Sequence, residues 1–104
     1  MTPPLDAEAK ESEQALTEFT VELFGVPRLL IGRRQTVACG GTLAELVSDL
    51  AARRPVLLGP VIDPVTRWLV PGYSFVVNER FTSNAQTALA AGNSVLLVSS
   101  VAGG

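Results

Sequence analysis

The run Gly40-Gly-Thr-Leu-Ala-Glu45 and the residues after it fix one helix, and that helix dictates what the rest of the chain must supply. Thr42 is placed to cap the helix. Glu45, three residues on, completes a capping box, in which hydroxyl and carboxylate satisfy backbone N–H groups that the first turn leaves open. Leu43, Leu46, Val47, Leu50 and Ala51 recur at i, i+3, i+4, i+7 and i+8, so their side chains share one face. Glu45, Ser48 and Asp49 fall largely off it. Pro55 ends the helix, because proline has no N–H to continue the ladder. Arg53-Arg54 suit the negative end of its dipole and read as a solvated helix end. Burying one leucine of the stripe contributes about 1.5–3 kcal/mol. A single helix cannot bury its own stripe, so a second layer must come from the flanking segments.

Those segments read as strands. Phe19, Val21 and Leu23 alternate with Thr20, Glu22 and Phe24, the pattern of a strand with one buried face. Gly25-Val-Pro-Arg28 breaks it. Leu29 to Ile31 and Gln35 to Cys39 fit a second strand with a loop or bulge at Gly32, so the two read as a hairpin. Residues 56–72 contain Pro60, Pro64 and Pro71 with Gly59 and Gly72, and read as an irregular loop that packs down at Val56-Leu57-Leu58 and at Trp68-Leu69-Val70. Trp68 is read as loop packing rather than a partner anchor. Tyr73 to Val77 is a strand, followed by a turn at Asn78-Glu79-Arg80. Leu89 to Asn93 is a tight turn, with Gly92-Asn93 suited to positive φ. Ser94 to Val98 is nearly all apolar, as in a central strand buried on both faces. The expected fold is α+β, a mixed sheet of four to five strands covered by one main helix, with the other face of the sheet left open to a partner.

Composition narrows the chemistry. The 104 residues, 47% hydrophobic, suffice for one domain with a modest core. No run of apolar residues is long enough to span a membrane, and the N-terminus lacks the basic and apolar regions of a signal peptide. There is no histidine, which removes Ser-His-Asp and Cys-His sites and the usual zinc sets. A single cysteine, Cys39, removes an internal disulfide and CxxC pairs, fits a reducing, cytoplasmic compartment, and reads as a semi-buried strand-end residue. Asp63 has no second carboxylate at a readable spacing, so acid/base chemistry is not expected. Arginines without an aromatic cluster do not make a nucleic-acid surface. Residues 1–16 are polar, acidic and open near Pro3-Pro4, which reads as a mobile leader ahead of a domain over 17–98.

The end of the chain is Val98-Ser-Ser-Val-Ala-Gly-Gly104. Residues 99–104 read as a flexible tail beyond a central strand, reaching about 20 Å when extended at ~3.3–3.6 Å per residue. Such a tail can enter another protein's active site. Glycine lacks a Cβ, so the backbone at Gly103-Gly104 can pass a narrow channel and approach a nucleotide closely. A terminal carboxylate is a poor acyl donor until it is activated, for instance by adenylation. The chain has no GxxxxGK[ST] and no strand-linked GxGxxG. No cofactor is therefore expected to bind it, any ATP is used by a partner, and the chain itself is read as substrate and carrier rather than as an enzyme.

Several segments together resemble a known group. Thr20-Val-Glu-Leu-Phe-Gly25, Gly41-Thr-Leu-Ala-Glu-Leu46, Val76-Val-Asn-Glu79, Leu89-Ala-Ala-Gly-Asn-Ser-Val95 and Val101-Ala-Gly-Gly104 are similar, in order and spacing, to the MoaD/ThiS sulfur carriers. The resemblance covers Glu18 to Gly104. It implies the ubiquitin-like β-grasp fold, and it leans toward MoaD, the small subunit of molybdopterin synthase. In that family the terminal glycine is adenylated by an E1-like enzyme, becomes a thiocarboxylate, and delivers sulfur to a pterin precursor in the large subunit. Carried over, Gly104 is the sulfur-bearing residue and Gly103 enters the partner's active site with it. Ser99-Ser100 stand where MoaD tails often carry two prolines. Related carriers serve thiamine, cysteine and tRNA thiolation, and some modify proteins through lysines. The expected partners are thus an E1-like adenylating enzyme and a large synthase subunit or another sulfur-accepting enzyme. The residues assigned to partner contact are Phe75, Phe81, Val101 and Ala102, with core packing the open alternative for the two phenylalanines.

Overall fold

The helix signalled at Thr42 forms over Leu43–Arg53, in a computed structural model that describes residues 17–99. The sequence readings for 1–16 and for Ser100 to Gly104 lie outside the described residues. The elements in chain order are β1 (Glu18–Leu23), α1 (Val26–Ile31), β2 (Gln35–Cys39), α2 (Leu43–Arg53), a 3-10 turn (Pro55–Leu57), β3 (Tyr73–Val77), β4 (Arg80–Thr82) and β5 (Val95–Ser99).

The start of α2 is fully tied down. The Thr42 hydroxyl accepts from the Glu45 N–H at 3.2 Å. The Glu45 carboxylate reaches one residue further back than a standard box and accepts from the Gly41 N–H at 2.7 Å. The Leu43 and Ala44 N–H groups donate to the carbonyls of Thr87 and Ala85 at 3.0 and 2.9 Å. The loop before β5 therefore closes the helix end, and no first-turn donor is left over for an anion. Leu43, Leu46, Val47, Leu50 and Ala51 are all buried, as their spacing predicts.

The sheet is five-stranded and mixed, in the order β2-β1-β5-β3-β4. β1 and β5 pair in parallel at its centre, and the other pairings are antiparallel. Phe19, Val21 and Leu23 alternate into the core, as expected for β1. Val21 and Leu23 register with Val95 and Leu97 of β5, which register with Val77 and Phe75 of β3. These residues form the layer beneath α2, joined by Leu57, Val61, Ile62 and Leu69 from the long loop.

Four expectations are corrected. Leu29 to Ile31 are helical rather than strand. Gly25 turns the chain at φ 72°, Pro27 sits in the first turn, and Gly32 closes α1 in the left-handed conformation, donating its N–H to the Arg28 carbonyl. Proline near the start and glycine past the end is the ordinary punctuation of a short helix. β5 is central but not buried on both faces: Val95 and Leu97 are covered, while Leu96 and Val98 are half-buried on the side away from α2. The turn after β3 has two residues, Asn78 and Glu79, both at positive φ, and it folds Arg80–Thr82 back as an additional edge strand. Gly92 has the positive φ expected of the 89–93 turn, whereas Asn93 stays at negative φ. The Asn93 side chain instead accepts from the Ala90 N–H at 2.7 Å.

The loop at 56–72 is irregular as expected, yet more deeply packed. Leu57, Val61 and Ile62 are fully buried, and Ile62 bridges to both Leu58 and Leu69. Asp63 organises its outer turn: its carboxylate accepts from the Val65 and Thr66 N–H groups at 2.7 and 3.1 Å. That role is structural. Trp68 packs against Phe75, with ring centroids 6.1 Å apart.

Candidate functional site at the end of β5 and on the open face

The central strand β5 carries the chain to Ser99, which pairs with Tyr73 of β3. Ser99 thus belongs to the sheet, one residue beyond the expected boundary. Gly103, Gly104, Val101 and Ala102 lie outside the described residues, so the described part of the site is the surface around the end of β5. Phe24 follows the end of β1, and its N–H donates to the Leu97 carbonyl at 3.1 Å. Gly25 comes so close to Ser99 that a Cβ on it would lie 3.8 Å from the Ser99 Cβ. The start of α1 therefore flanks the end of β5. It brings three apolar side chains that face solvent: Phe24, Val26 and Leu29, the last 79% exposed. None of the three stood among the sequence candidates. The signal was Leu29 within a segment read as strand, where its exposure could not be seen.

The face of the sheet away from α2 follows from the register. Val76 pairs with Leu96 on one side and Phe81 on the other, and Leu96 pairs with Glu22. The row Glu22–Leu96–Val76–Phe81 therefore crosses four strands, apolar over three of them. Phe81 is 72% exposed and Leu96 and Val76 are half-buried, so the row presents a large aromatic to solvent beside a partly covered aliphatic strip. Contiguous exposed apolar surface of this sort marks partner sites on small proteins.

Phe75 is not part of that face. It is fully buried, in register with Leu97 and packed against Trp68 with the ring planes tilted by 48°. Alternation along β3 sends Phe75 and Val77 to the helix side and Val76 to the other. In the sequence Tyr73-Ser-Phe-Val-Val77 nearly every residue is apolar, so period-two alternation cannot choose a face. The two-residue turn sets the register and with it the choice. Of the pair expected to share one surface, only Phe81 is exposed.

The arginines at the end of α2 are not simply solvated. The Arg53 guanidinium pairs with Asp49 at 2.8 Å and lies 3.8 Å from Glu18. It also donates to the sulfur of buried Cys39 at 3.2 Å. Arg54 donates to the Thr36 hydroxyl at 3.1 Å. Among the described residues no cluster of three or more His, Cys, Asp or Glu could hold a metal ion, and no helix is long and apolar enough to cross a membrane.

Comparison with known proteins agrees with this geometry. The model of the ThiS family matches residues 21–104, most of the chain. Small archaeal modifier protein 1 (SAMP1) of Haloferax volcanii superposes with a TM-score of 0.70 at 22% identity, over 84% of this chain and 99% of that one. CysO of Mycobacterium tuberculosis superposes at 0.65 with 28% identity, over 79% and 98%. A putative molybdopterin converting factor subunit 1 of Pyrococcus furiosus superposes at 0.60 with 20% identity, over 81% and 98%. A search of curated proteins finds no significant match. The fold is the ubiquitin-like β-grasp shared by these structures.

Proposed function

The chain belongs to the ThiS family, and on that premise we propose that it is a sulfur carrier that works through the carboxylate of Gly104. The observation that carries the reading is the reach of the family match, which runs through the central strand and on to Gly104. In the proposed reaction, the Gly104 carboxylate attacks the α-phosphorus of an ATP bound by an E1-like partner, and pyrophosphate leaves. Hydrosulfide then attacks the acyl carbon, AMP leaves, and a thiocarboxylate remains on Gly104. Gly103 and Gly104, lacking Cβ atoms, let the end of the chain thread a narrow partner site. The carrier presents an acyl group and the partner supplies the catalysis. The reducing cytoplasm suits such a sulfur-bearing end.

Phe81, with Leu96 and Val76, gives the partner an apolar surface on the folded domain, and Phe24 and Val26 extend it to the base of the tail. Val101 and Ala102 fill the passage between surface and active site. We place the pterin precursor, held by the large subunit of molybdopterin synthase, first among the sulfur acceptors. The likeness of Val101-Ala-Gly-Gly104 to the MoaD tail supports that choice. There the thiocarboxylate sulfur displaces an oxygen substituent from a carbon of the precursor, the C–O bond breaking as the C–S bond forms. Water then hydrolyses the resulting thioester, which leaves the sulfur on the precursor as a thiol and returns the Gly104 carboxylate.

The test is transfer by the chain lacking Gly104. Thermal unfolding of that variant is expected to match the full chain, and sulfur transfer to the pterin precursor with the large subunit to be lost. Transfer by the truncated chain would sink the carrier reading. Transfer by the full chain to a thiamine, cysteine or tRNA acceptor but not to the pterin would move the pathway and keep the carrier. Reductant-stable conjugates to lysines in cell extracts would reveal a modifier instead.

A further inference from the structure

β2 is the terminal strand of the sheet, and its outer edge is open in a defined stretch. The Leu23 N–H donates to the Arg34 carbonyl and the Gly40 N–H to the Thr17 carbonyl. Hydrogen-bonded pairs in an antiparallel ladder alternate with non-bonded ones. The bonded positions of this strand are therefore the even-numbered residues, and Gln35, Val37 and Cys39 point their N–H and C=O groups away from β1. The Cys39 N–H confirms the direction, since it donates outward to the Asp49 carboxylate at 2.8 Å. Gln35 and Val37 have no such cap among the described residues. Together they offer two donors and two acceptors in a row.

Charge says what the row accepts. Arg33 and Arg54 line a groove with Gln35, Thr36 and Val37. Neither guanidinium is in an ion pair among the described residues; Arg54 bonds only the neutral Thr36 hydroxyl. Val37 adds a partly exposed apolar side chain on the open face. At the other end of the strand Asp49 and Glu18 are negative and already paired with Arg53. We infer that the outer edge of β2 is a docking site for an extended acidic segment of a partner protein, added as a further antiparallel strand. Its apolar residues lie beside Val37, and Asp or Glu residues that follow them meet Arg33 and Arg54. Two-fold pairing with a second copy, centred on Thr36, would use the same groups of Gln35 and Val37, so a β2-paired dimer is the rival that the experiment must distinguish. The opposite edge, β4, is only three residues long. β1 lies between this edge and β5, and none of the residues invoked belongs to the carrier reading, so the inference stands apart from it.

The probe is the peptide Ac-Gly-Thr-Val-Thr-Val-Thr-Asp-Glu-Glu-Gly-amide, titrated into the full nitrogen-15-labelled chain, with a counterpart carrying Lys at its acidic positions. Saturable amide shifts centred on Gln35 and Val37 are expected for the acidic peptide up to about 1 mM, a weak range typical of short segments, and not for the basic one. Arg33→Glu, at an exposed side chain, is expected to weaken binding about fivefold or more, as reversal of an ion-pairing charge does. Val37→Pro removes an outward N–H without touching the bonds to β1, as edge positions allow, and is expected to abolish binding. Equal binding of the two peptides, shifts centred on Phe81 instead, unchanged affinity in Arg33→Glu, or a β2-paired dimer of the chain alone would each overturn the inference.

Discussion

Gly40 sits where no side chain fits. A Cβ there would come within 2.5 Å of the Leu46 backbone nitrogen and 2.9 Å of the Glu45 carbonyl carbon. Both neighbours are helix backbone and cannot swing aside. Gly40→Ala is expected to destabilise the domain by about 1–3 kcal/mol, the usual cost of overpacking, read as a lowered midpoint in thermal unfolding. Phe75 and Phe81 separate packing from recognition on one hairpin. Phe75→Ala should cost about 3–5 kcal/mol, since it empties a fully buried site beside Trp68. Phe81→Ala should leave stability within about 0.5 kcal/mol, as exposed substitutions do, while slowing adenylation by the partner enzyme. Equal loss of stability in both would contradict the assignment of faces. The two rings were indistinguishable in the sequence because β3 is apolar at almost every position, and burial was decided by register.

At the level of elements, α2 was legible because its signals agree: cap, capping carboxylate, periodic stripe and terminating proline. Thr42→Ala should cost about 0.5–2 kcal/mol by leaving the Glu45 N–H without its hydroxyl partner. α1 was not legible, because Leu29-Leu-Ile31 is too short to show a period and its residues favour strands as readily as helices. The proline and glycine that bracket it were the better guide. β4 was hidden for a different reason. Asn78-Glu79 is an uncommon sequence for a turn that needs positive φ twice. Here the Asn78 side chain accepts the Ser94 N–H at 2.9 Å and the Asn78 N–H reaches the Ser94 carbonyl at 3.0 Å, so tertiary bonds hold the turn that local preference does not. Asn78→Ala should therefore loosen both the hairpin and the start of β5, seen as faster hydrogen exchange in both.

Across the whole molecule, one helix caps one face of a sheet whose middle strand leads to the end of the chain. The parallel β1–β5 pair places that strand at the centre, so the segment that follows it starts from the best-anchored part of the fold. The helix layer, the strands β1, β2, β3 and β5 in their order, and the terminal glycines were readable beforehand, whereas α1 and β4 were not. The surfaces around them were not, because edges and faces exist only once strands from distant parts of the chain are paired. In the proposed carrier, Gly104 bears sulfur. Intact-mass spectrometry of the chain after incubation with its activating enzyme, ATP and a sulfide source tests it most directly. A species in which one oxygen is replaced by sulfur is expected, localised to the C-terminal peptide and absent when ATP is omitted. An unchanged mass under conditions where the enzyme consumes ATP on addition of the chain would contradict it.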